Sequence, residues 1–223
     1  DNLTRKLKDK GLVPDSIKID ADNNYSSDDD DNLGFVFSTD IPNSESDEDK
    51  NDTSDDESSE EEMIEVYKAA VRAPDHAWLR PWRYLEVRGE GRHTLSKAFL
   101  DAAIKEDGDS LTDELKQKLE NAPFRAPMII VLVADVKEHP KVPKVEQLLS
   151  LGASAQNILL AINSLGYGAV WRTGKMAFNT HLVEALKLPE NSEIIGFLYI
   201  GTPSKQGKSI PELNIDDFLT KIT

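Results

Sequence analysis

Charge is distributed so unevenly along this chain that only part of it can fold around an apolar core. Residues 1–62 contain 6 Lys or Arg and 21 Asp or Glu, a net charge of −15, whereas residues 63–223 contain 20 of each sign. The run Ser44–Glu62 holds 11 acidic residues among 19 and one basic residue, Lys50. Dense like charge with little apolar surface does not collapse. We therefore predict that residues 1–62 are an acidic, mostly disordered extension and that residues 63–223 are the folded domain.

Two features of the extension have open interpretations. The apolar island Leu33–Ile41 alternates weakly and predicts either a transient strand or a docking motif. The acidic run is either an interaction tail for basic proteins such as histones or a solvating spacer. We favour the spacer, because charge runs are common and unspecific.

Composition narrows the classes of protein. The chain has no cysteine, which excludes disulfides and thiolate metal sites or nucleophiles. No uninterrupted apolar run approaches the roughly 20 residues that span a bilayer. The charged N-terminus is unlike a secretory signal. We expect a soluble, cytoplasmic protein that binds neither membrane nor nucleic acid, with a nuclear location compatible with the acidic tail.

The pattern after residue 62 alternates between helical and strand periods without a regular βαβ rhythm. Ser59 and the acidic residues after it predict a helix start, and Pro74 follows its end. The apolar run Pro127–Asp135 predicts a central strand, and Val145–Gly166 is the longest helical pattern. Further strands are predicted at Arg83–Gly89, Tyr167–Gly174 and Glu193–Gly201, and further helices near 92–106, 111–120 and 180–188. This order favours an α+β fold.

Several kinds of site are disfavoured by the motifs. The four histidines, His76, His93, His139 and His181, are scattered without a zinc-ligand spacing, so we predict no metal site. The chain has no G-x-S-x-G elbow and no glycine-rich phosphate loop.

Arginines beside tryptophans are the remaining candidates for chemistry. The segment "RAPDHAWLRPWRY" (Arg72–Tyr84) holds three arginines and two tryptophans, and Arg172 directly follows Trp171. The rigid guanidinium suits planar, phosphate-bearing ligands. A phosphorylated aromatic cofactor and ordinary core packing with surface ion pairs both fit this pattern.

Four segments carry a resemblance to a known family. They are "RAPDHAWLRPWRYLEV", "NAPFRAPMIIVLVAD", "HPKVPKVEQLLSLGASAQNILLAINSLGYGAVWRTG" and "IIGFLYIGTP". In order and spacing they resemble the nitroreductase superfamily, across about residues 60–204. The resemblance implies an FMN enzyme with a mixed, mainly antiparallel central sheet flanked by helices. It also implies a homodimer with FMN at the interface, and NADH or NADPH as the electron donor.

The resemblance also assigns residues to the site. Arg72 and His76 match flavin-contacting positions, as do Trp171, Arg172 and Thr173. The stretch that would contact the nicotinamide is Ala161, Ile162, Asn163, Ser164, Leu165 and Gly166. The flavin would carry the chemistry, transferring hydride from NAD(P)H to a nitroaromatic, quinone or similar acceptor, so no side chain is predicted to be catalytic.

The chain departs from the family before "RAPDH". Members carry an "R-R-S" motif there that grips the FMN phosphate, whereas the corresponding stretch here is acidic and has no arginine. The nearest basic cluster is Arg5, Lys6, Lys8 and Lys10. A second function therefore stays open, a catalytically weakened nitroreductase-like domain that acts as a binding module, with the tail engaging basic proteins.

Overall fold

One five-stranded sheet organises the part of the chain that can be described. The computed structural model describes residues 34–36, 59–203 and 212–222. The strand order is β1-β4-β5-β3-β2, and every neighbouring pair is antiparallel. The strands are β1 (Gly34–Val36), β2 (Trp82–Arg88), β3 (Met128–Asp135), β4 (Gly168–Arg172) and β5 (Ser192–Gly201).

Helices lie on both sides of the sheet. The α-helices are α1 (Glu60–Ala70), α2 (Gly91–Asp107), α3 (Asp113–Asn121), α4 (Lys144–Ser164), α5 (Gly174–Ala177) and α6 (Thr180–Ala185). Short 3₁₀ turns occur at His76–Trp78, Gly108–Ser110, Ala122–Arg125 and Ile215–Asp217.

The start of α1 follows from its first residues, as the sequence predicts. The Ser59 hydroxyl accepts a hydrogen bond from the Glu62 amide at 3.2 Å, and the Glu62 carboxylate accepts one from the Ser59 amide at 2.9 Å. This reciprocal capping box satisfies two amides that a helix start leaves without partners. The apolar residues Met63, Val66 and Ala70 then face the core.

Strand β3 is the centre of the molecule. Seven of its eight residues are buried, which confirms the predicted central strand. Ile130 and Leu132 pack in a cluster with α1 and α4, and Ile129, Val131 and Val133 pack in a second cluster with α2 and α6. In the second cluster the rings of Phe99 and Phe197 meet edge to face at 5.3 Å. The sheet is thus covered on both faces.

Helix α4 has one buried and one uncovered face. Its length and apolar composition would suffice to cross a membrane, a property shared by the core helices of soluble proteins. Leu151, Ile158 and Ile162 are fully buried against the sheet. Val145, Leu149 and Leu160 lie outside the core, with exposures of 57%, 66% and 53%. Their spacings of four and eleven residues place them on one face of the helix.

The predicted α+β class with a mainly antiparallel central sheet flanked by helices is confirmed. The sheet was predicted to be mixed, but each pair of described strands is antiparallel. Each strand and helix predicted after residue 62 is present, with ends that differ by a few residues. Within the acidic extension, Gly34–Val36 of the apolar island forms a strand of the sheet. Residues 59–62 of the extension are also ordered, since they form the start of α1. The disorder predicted for the other residues of the extension lies outside the described ranges. The division at residue 62 stays a prediction.

Candidate functional site

The first group of predicted site residues lies where α1 ends. The Ala69 carbonyl accepts a hydrogen bond from the Asn157 side chain at 3.1 Å, which ties the end of α1 to α4. Ala73 is buried, whereas Arg72 is exposed. The fixed backbone therefore projects the Arg72 guanidinium from the surface.

His76 is held by the start of α4. Its Nδ1 lies 2.6 Å from a carboxylate oxygen of Glu146, a residue in the first turn of that helix. Both side chains are about half exposed. The contact orients the imidazole and leaves Nε2 available to a ligand. The sequence analysis did not identify Glu146, which contacts this predicted site residue.

The second group lies at the end of β4, where Trp171 packs on a glycine. The Trp171 indole N–H donates to the Ile195 carbonyl at 3.3 Å. The ring covers Gly196, where a Cβ would come within 2.7 Å of the indole Cδ1 and 2.9 Å of the Arg172 carbonyl oxygen. Gly196 has φ +148°, and the β3–β5 pairing shifts register beside it. The irregularity in β5 thus provides the space that the indole fills.

Arg172 is a half-buried cation beside a second cation. Its guanidinium lies over the Tyr199 ring, 5.7 Å from the centroid. Burial, and then the like charge of Arg125, lower the pKa of Arg172 below its ordinary range. No carboxylate among the described residues pairs with either arginine. Two neighbouring guanidinium groups without a counter-ion form a natural position for a phosphate or another anion.

The neighbours of this second group limit its access. Strand β1 pairs with β4 so that Gly34 lies opposite Arg172 and Phe35 opposite Trp171. Thr173 is half-buried and precedes Gly174, whose φ of +59° turns the chain into α5. The backbone edge of β4 is therefore occupied, and the Arg172 side chain on the face of the sheet is the accessible part.

The two groups lie at different places along the sheet. Arg72 and His76 precede β2, whereas Trp171 and Arg172 lie on β4, and β3 and β5 separate those two strands. Three spacings of about 4.8 Å place the strand axes roughly 14 Å apart. Each chain thus carries two separate halves of the predicted site.

The predicted nicotinamide stretch forms the end of α4. Ser164 donates its hydroxyl hydrogen bond to the Ala161 carbonyl at 2.7 Å. Gly166, with φ +89°, reverses the chain, and the Tyr167 amide bonds the Ile162 carbonyl at 3.2 Å. The Ile162 side chain is fully buried in the core. A ligand at this point would meet the exposed residues 164–166 rather than Ile162.

The other residues of the arginine and tryptophan segment divide into two kinds. Trp82 is 7% exposed and packs in the core, and Arg83 forms an ion pair of 2.8 Å with Asp135. These two are structural. Trp78 is 79% exposed, and the Arg80 guanidinium lies 5.5 Å from its ring centroid. The core therefore does not account for Trp78 and Arg80.

An open surface cleft of about 780 Å³ lies beside the loop that precedes α4, with Lys137, His139, Lys144 and Glu193 among its lining residues. Among the described residues, no three His, Asp or Glu side chains come together as metal ligands.

Sequence reasoning missed Arg125, Tyr199 and Gly196. Arg125 and Tyr199 stand 47 and 27 residues from Arg172, and only the order of β3, β5 and β4 brings them near it. Gly196 is one glycine in a strand pattern, a signal that predicts a bulge or a close approach without naming the partner.

Comparisons with known proteins agree with this architecture. A model described as the nitroreductase family matches residues 54–202. An Escherichia coli protein that carries the name NAD(P)H nitroreductase YdjA is 38% identical over 157 residues, 70% of this chain and 83% of its own length. The crystal structure of a nitroreductase-like family protein from Bacillus cereus superposes with a TM-score of 0.64 at 26% identity, covering 76% of this chain and 88% of that one. A Desulfovibrio desulfuricans nitroreductase, crystallised in complex with FMN, has a TM-score of 0.55 at 21% identity, with coverage of 76% and 88%.

Proposed function

Because this chain belongs to the nitroreductase family, we propose that it is an FMN-dependent oxidoreductase that uses NADH or NADPH to reduce a small acceptor such as a nitroaromatic compound or a quinone. FMN would supply the redox chemistry, taking up the hydride of the nicotinamide and delivering two electrons to the acceptor. The name of the E. coli relative supports the donor, and the FMN in the D. desulfuricans structure supports the cofactor.

The observation that carries the proposal is the state of Arg172. A guanidinium that is half-buried, stacked on Tyr199 and close to a second arginine is electrostatically unfavourable by itself. A dianionic phosphate would neutralise this charge through short, charge-assisted hydrogen bonds. The residues present therefore fit the phosphate end of FMN, although the family's "R-R-S" motif is absent.

The protein's own residues would bind and position the cofactor. Arg172 and Arg125 would hold the phosphate, and the packing of Trp171 on Gly196 fixes the backbone from which Arg172 projects.

Arg72 and His76 would contact the flavin from the other half of the site, with His76 oriented by Glu146. Thr173 would add a hydroxyl donor next to Arg172. Positive charge near the flavin stabilises its anionic reduced form.

The same geometry supports a homodimer with FMN at the interface. The two halves of the predicted site lie apart along the sheet, and a second chain would complete each of them. The apolar face of Val145, Leu149 and Leu160 on α4 is more than half exposed in the described part of the chain. The small residues Gly152 and Ala153 lie between these side chains along the helix and would allow a partner helix to approach closely.

The visible spectrum of the purified protein tests the cofactor directly. We expect flavin absorbance that stays with the protein after added FMN is removed and that bleaches when NADH or NADPH is supplied. Colourless protein that retains no added FMN would overturn the proposal and favour the binding-module alternative.

A pair of variants tests the assigned site within that experiment. Arg172→Gln removes the half-buried cation, and we expect it to lose retained flavin. Arg83→Gln removes an arginine that is engaged by Asp135, and we expect it to retain flavin as the unaltered protein does. Equal retention by both variants would contradict the role of Arg172.

The remaining assignments concern the rest of the chain. We propose that residues 1–62 act chiefly as a solvating extension and that 63–223 form the catalytic domain, with a nicotinamide contact at residues 161–166. A cytoplasmic location is favoured over a nuclear one, since relatives such as the E. coli protein are bacterial. A pull-down of basic proteins that depends on the acidic run would support the interaction-tail alternative instead.

A further inference from the structure

The loop between α1 and β2 has an unusual backbone. Ala77, Trp78 and Arg80 have φ values of +58°, +56° and +48°. This left-handed region disfavours every residue with a side chain and is visited mainly by Gly, Asn and Asp. Three such residues within four positions are rare, and strained backbone of this kind clusters at functional sites.

Contacts from several directions hold the loop in this conformation. The Asp75 carboxylate accepts from the Arg80 amide at 2.8 Å, and the Lys137 ammonium donates to the Leu79 carbonyl at 2.6 Å. The Asp135 amide donates to the Pro81 carbonyl, also at 2.8 Å. The surroundings therefore impose the strained backbone, and the loop is firmly anchored at both ends.

The result of this anchoring is an exposed aromatic ring beside a cation. Trp78 has 79% of its surface exposed, while the Arg80 guanidinium lies 5.5 Å from the ring centroid. No carboxylate in the described part of the chain pairs with the Arg80 guanidinium. The strained loop thus presents a flat, exposed indole surface next to a positive charge.

We propose that Trp78 and Arg80 bind the electron acceptor, and that they select planar aromatic acceptors that carry a carboxylate or sulfonate. The indole supplies a stacking surface for the ring, and the guanidinium fork pairs with the anionic group. This inference rests on the proposed function, because His76, two residues before Trp78, belongs to the predicted flavin site. The pair would hold an acceptor at the edge of that site.

A binding experiment without flavin tests the platform directly. Protein labelled with 5-fluorotryptophan gives one ¹⁹F signal for each of its three tryptophans, and Trp78→Phe assigns the Trp78 signal. We expect 4-nitrobenzoate to shift the Trp78 signal and to leave the signals of buried Trp82 and of Trp171 unchanged. The neutral 4-nitrobenzyl alcohol should bind more weakly.

The charge selection is tested by two matched arginine variants. Arg80→Gln should weaken 4-nitrobenzoate binding by about threefold to fivefold, the size expected for an exposed ion pair, and leave binding of the alcohol unchanged. The control is Arg92→Gln, which removes a guanidinium 5.6 Å from the Phe124 ring at another place on the surface. With flavin-loaded protein, Arg80→Gln should reduce the ratio of kcat/KM for the two acceptors by the same factor.

A third variant separates recognition from a structural role. Trp78→Gly places a residue that tolerates positive φ at this position, so we expect a higher Tm together with loss of 4-nitrobenzoate binding. A lower Tm would mean that Trp78 serves the fold, and the proposal would fail.

Two other outcomes would also overturn the platform. One is a Trp78 signal that 4-nitrobenzoate does not move. The other is a signal that moves only with protein concentration, which would identify Trp78 as a contact between copies of the chain. Failure to bind FMN would overturn the proposed enzyme activity, whereas the ¹⁹F titration would still decide whether the platform binds aromatic anions.

Discussion

The indole of Trp171 lies directly on the backbone of Gly196, and no side chain larger than hydrogen fits between β4 and β5 at this point. A Cβ there would stand 2.7 Å from the indole Cδ1, well inside van der Waals contact. The same glycine has a φ of +148°, which other residues rarely adopt. The position of Trp171, and with it the end of β4, depends on this one residue.

Gly196→Ala is therefore expected to damage both stability and cofactor binding. Overpacking typically costs about 1–3 kcal/mol, and the strained φ adds to it. We expect a lower Tm and weaker retention of FMN. Gly91→Ala is the matched control, because a Cβ there would meet the Val87 side chain at an ordinary 3.5 Å. Equal Tm values for the two variants would contradict the close packing at Gly196.

The two arginines near Tyr199 should affect FMN and riboflavin differently. If they hold the phosphate, Arg125→Gln and Arg172→Gln should each weaken FMN binding by about tenfold to a hundredfold, the range for a charge-assisted hydrogen bond. Riboflavin, which has no phosphate, should bind all three proteins with similar affinity. Titrations followed by flavin fluorescence give the dissociation constants of FMN and riboflavin. Equal losses of affinity for the two ligands would argue against a phosphate role of the arginines.

The uncovered face of α4 predicts the oligomeric state. Leu149→Glu puts a charge on that face, and we expect the sedimenting mass to fall from two chains to one, with loss of bound FMN. Ile104→Glu is the control, because Ile104 is also an exposed apolar residue, at 47%, but lies on α2 across the sheet. Dimers that survive Leu149→Glu would show that another surface joins the chains.

The hydroxyl of Tyr84 hydrogen-bonds that of Ser154, which is completely buried between α4 and the sheet. Tyr84→Phe leaves the Ser154 hydroxyl without this partner, and a buried unsatisfied group costs about 1–3 kcal/mol. Adding Ser154→Ala should recover part of the loss. Denaturant unfolding of the two single variants and the double variant measures this coupling, and strictly additive effects would contradict it.

The capping box of α1 predicts a pH dependence of stability. Hydrogen bonds from the Ser59 amide, and then from the Tyr167 hydroxyl, lower the pKa of Glu62 below its ordinary value of 4.5. A carboxyl whose pKa is lower in the folded state stabilises the fold above pH 4.5 and loses this effect as pH falls through the folded pKa.

Glu62→Gln should accordingly lower the free energy of unfolding at pH 7, and its difference from the unaltered protein should vanish in acid. Glu61→Gln removes the same charge from the same helical turn without breaking the box, so its effect should be smaller. Urea unfolding at several pH values measures both. A deficit for Glu62→Gln that persists at low pH would contradict the assignment.

Much of the fold could be predicted because the pattern that defines each helix or strand lies within one continuous segment of the sequence. The apolar run of β3 and the period of α4 identify a central strand and its covering helix without knowledge of any other segment. The start of α1 needs only Ser59 and Glu62, which lie three residues apart. Such patterns are local, and the structure reproduces them.

The site was less accessible to the same reasoning because it depends on pairs that are distant in sequence. The contact of His76 with Glu146 spans 70 residues, and the cluster around Arg172 needs residues from two other segments. The left-handed backbone at Ala77, Trp78 and Arg80 has no glycine to signal it. Tertiary contacts set that conformation against the local preference of the chain.

The pairing of β1 with β4 has a consequence for the solution behaviour of the protein. Without Gly34–Val36, β4 would be the edge strand of the sheet, with a row of unpaired backbone donors and acceptors. Such an edge can pair with strands of other molecules. A version that starts at residue 59 would keep all of the described buried core and still be expected to form edge-to-edge aggregates. The three residues of β1, set within the most polar part of the chain, would serve as a guard against self-association.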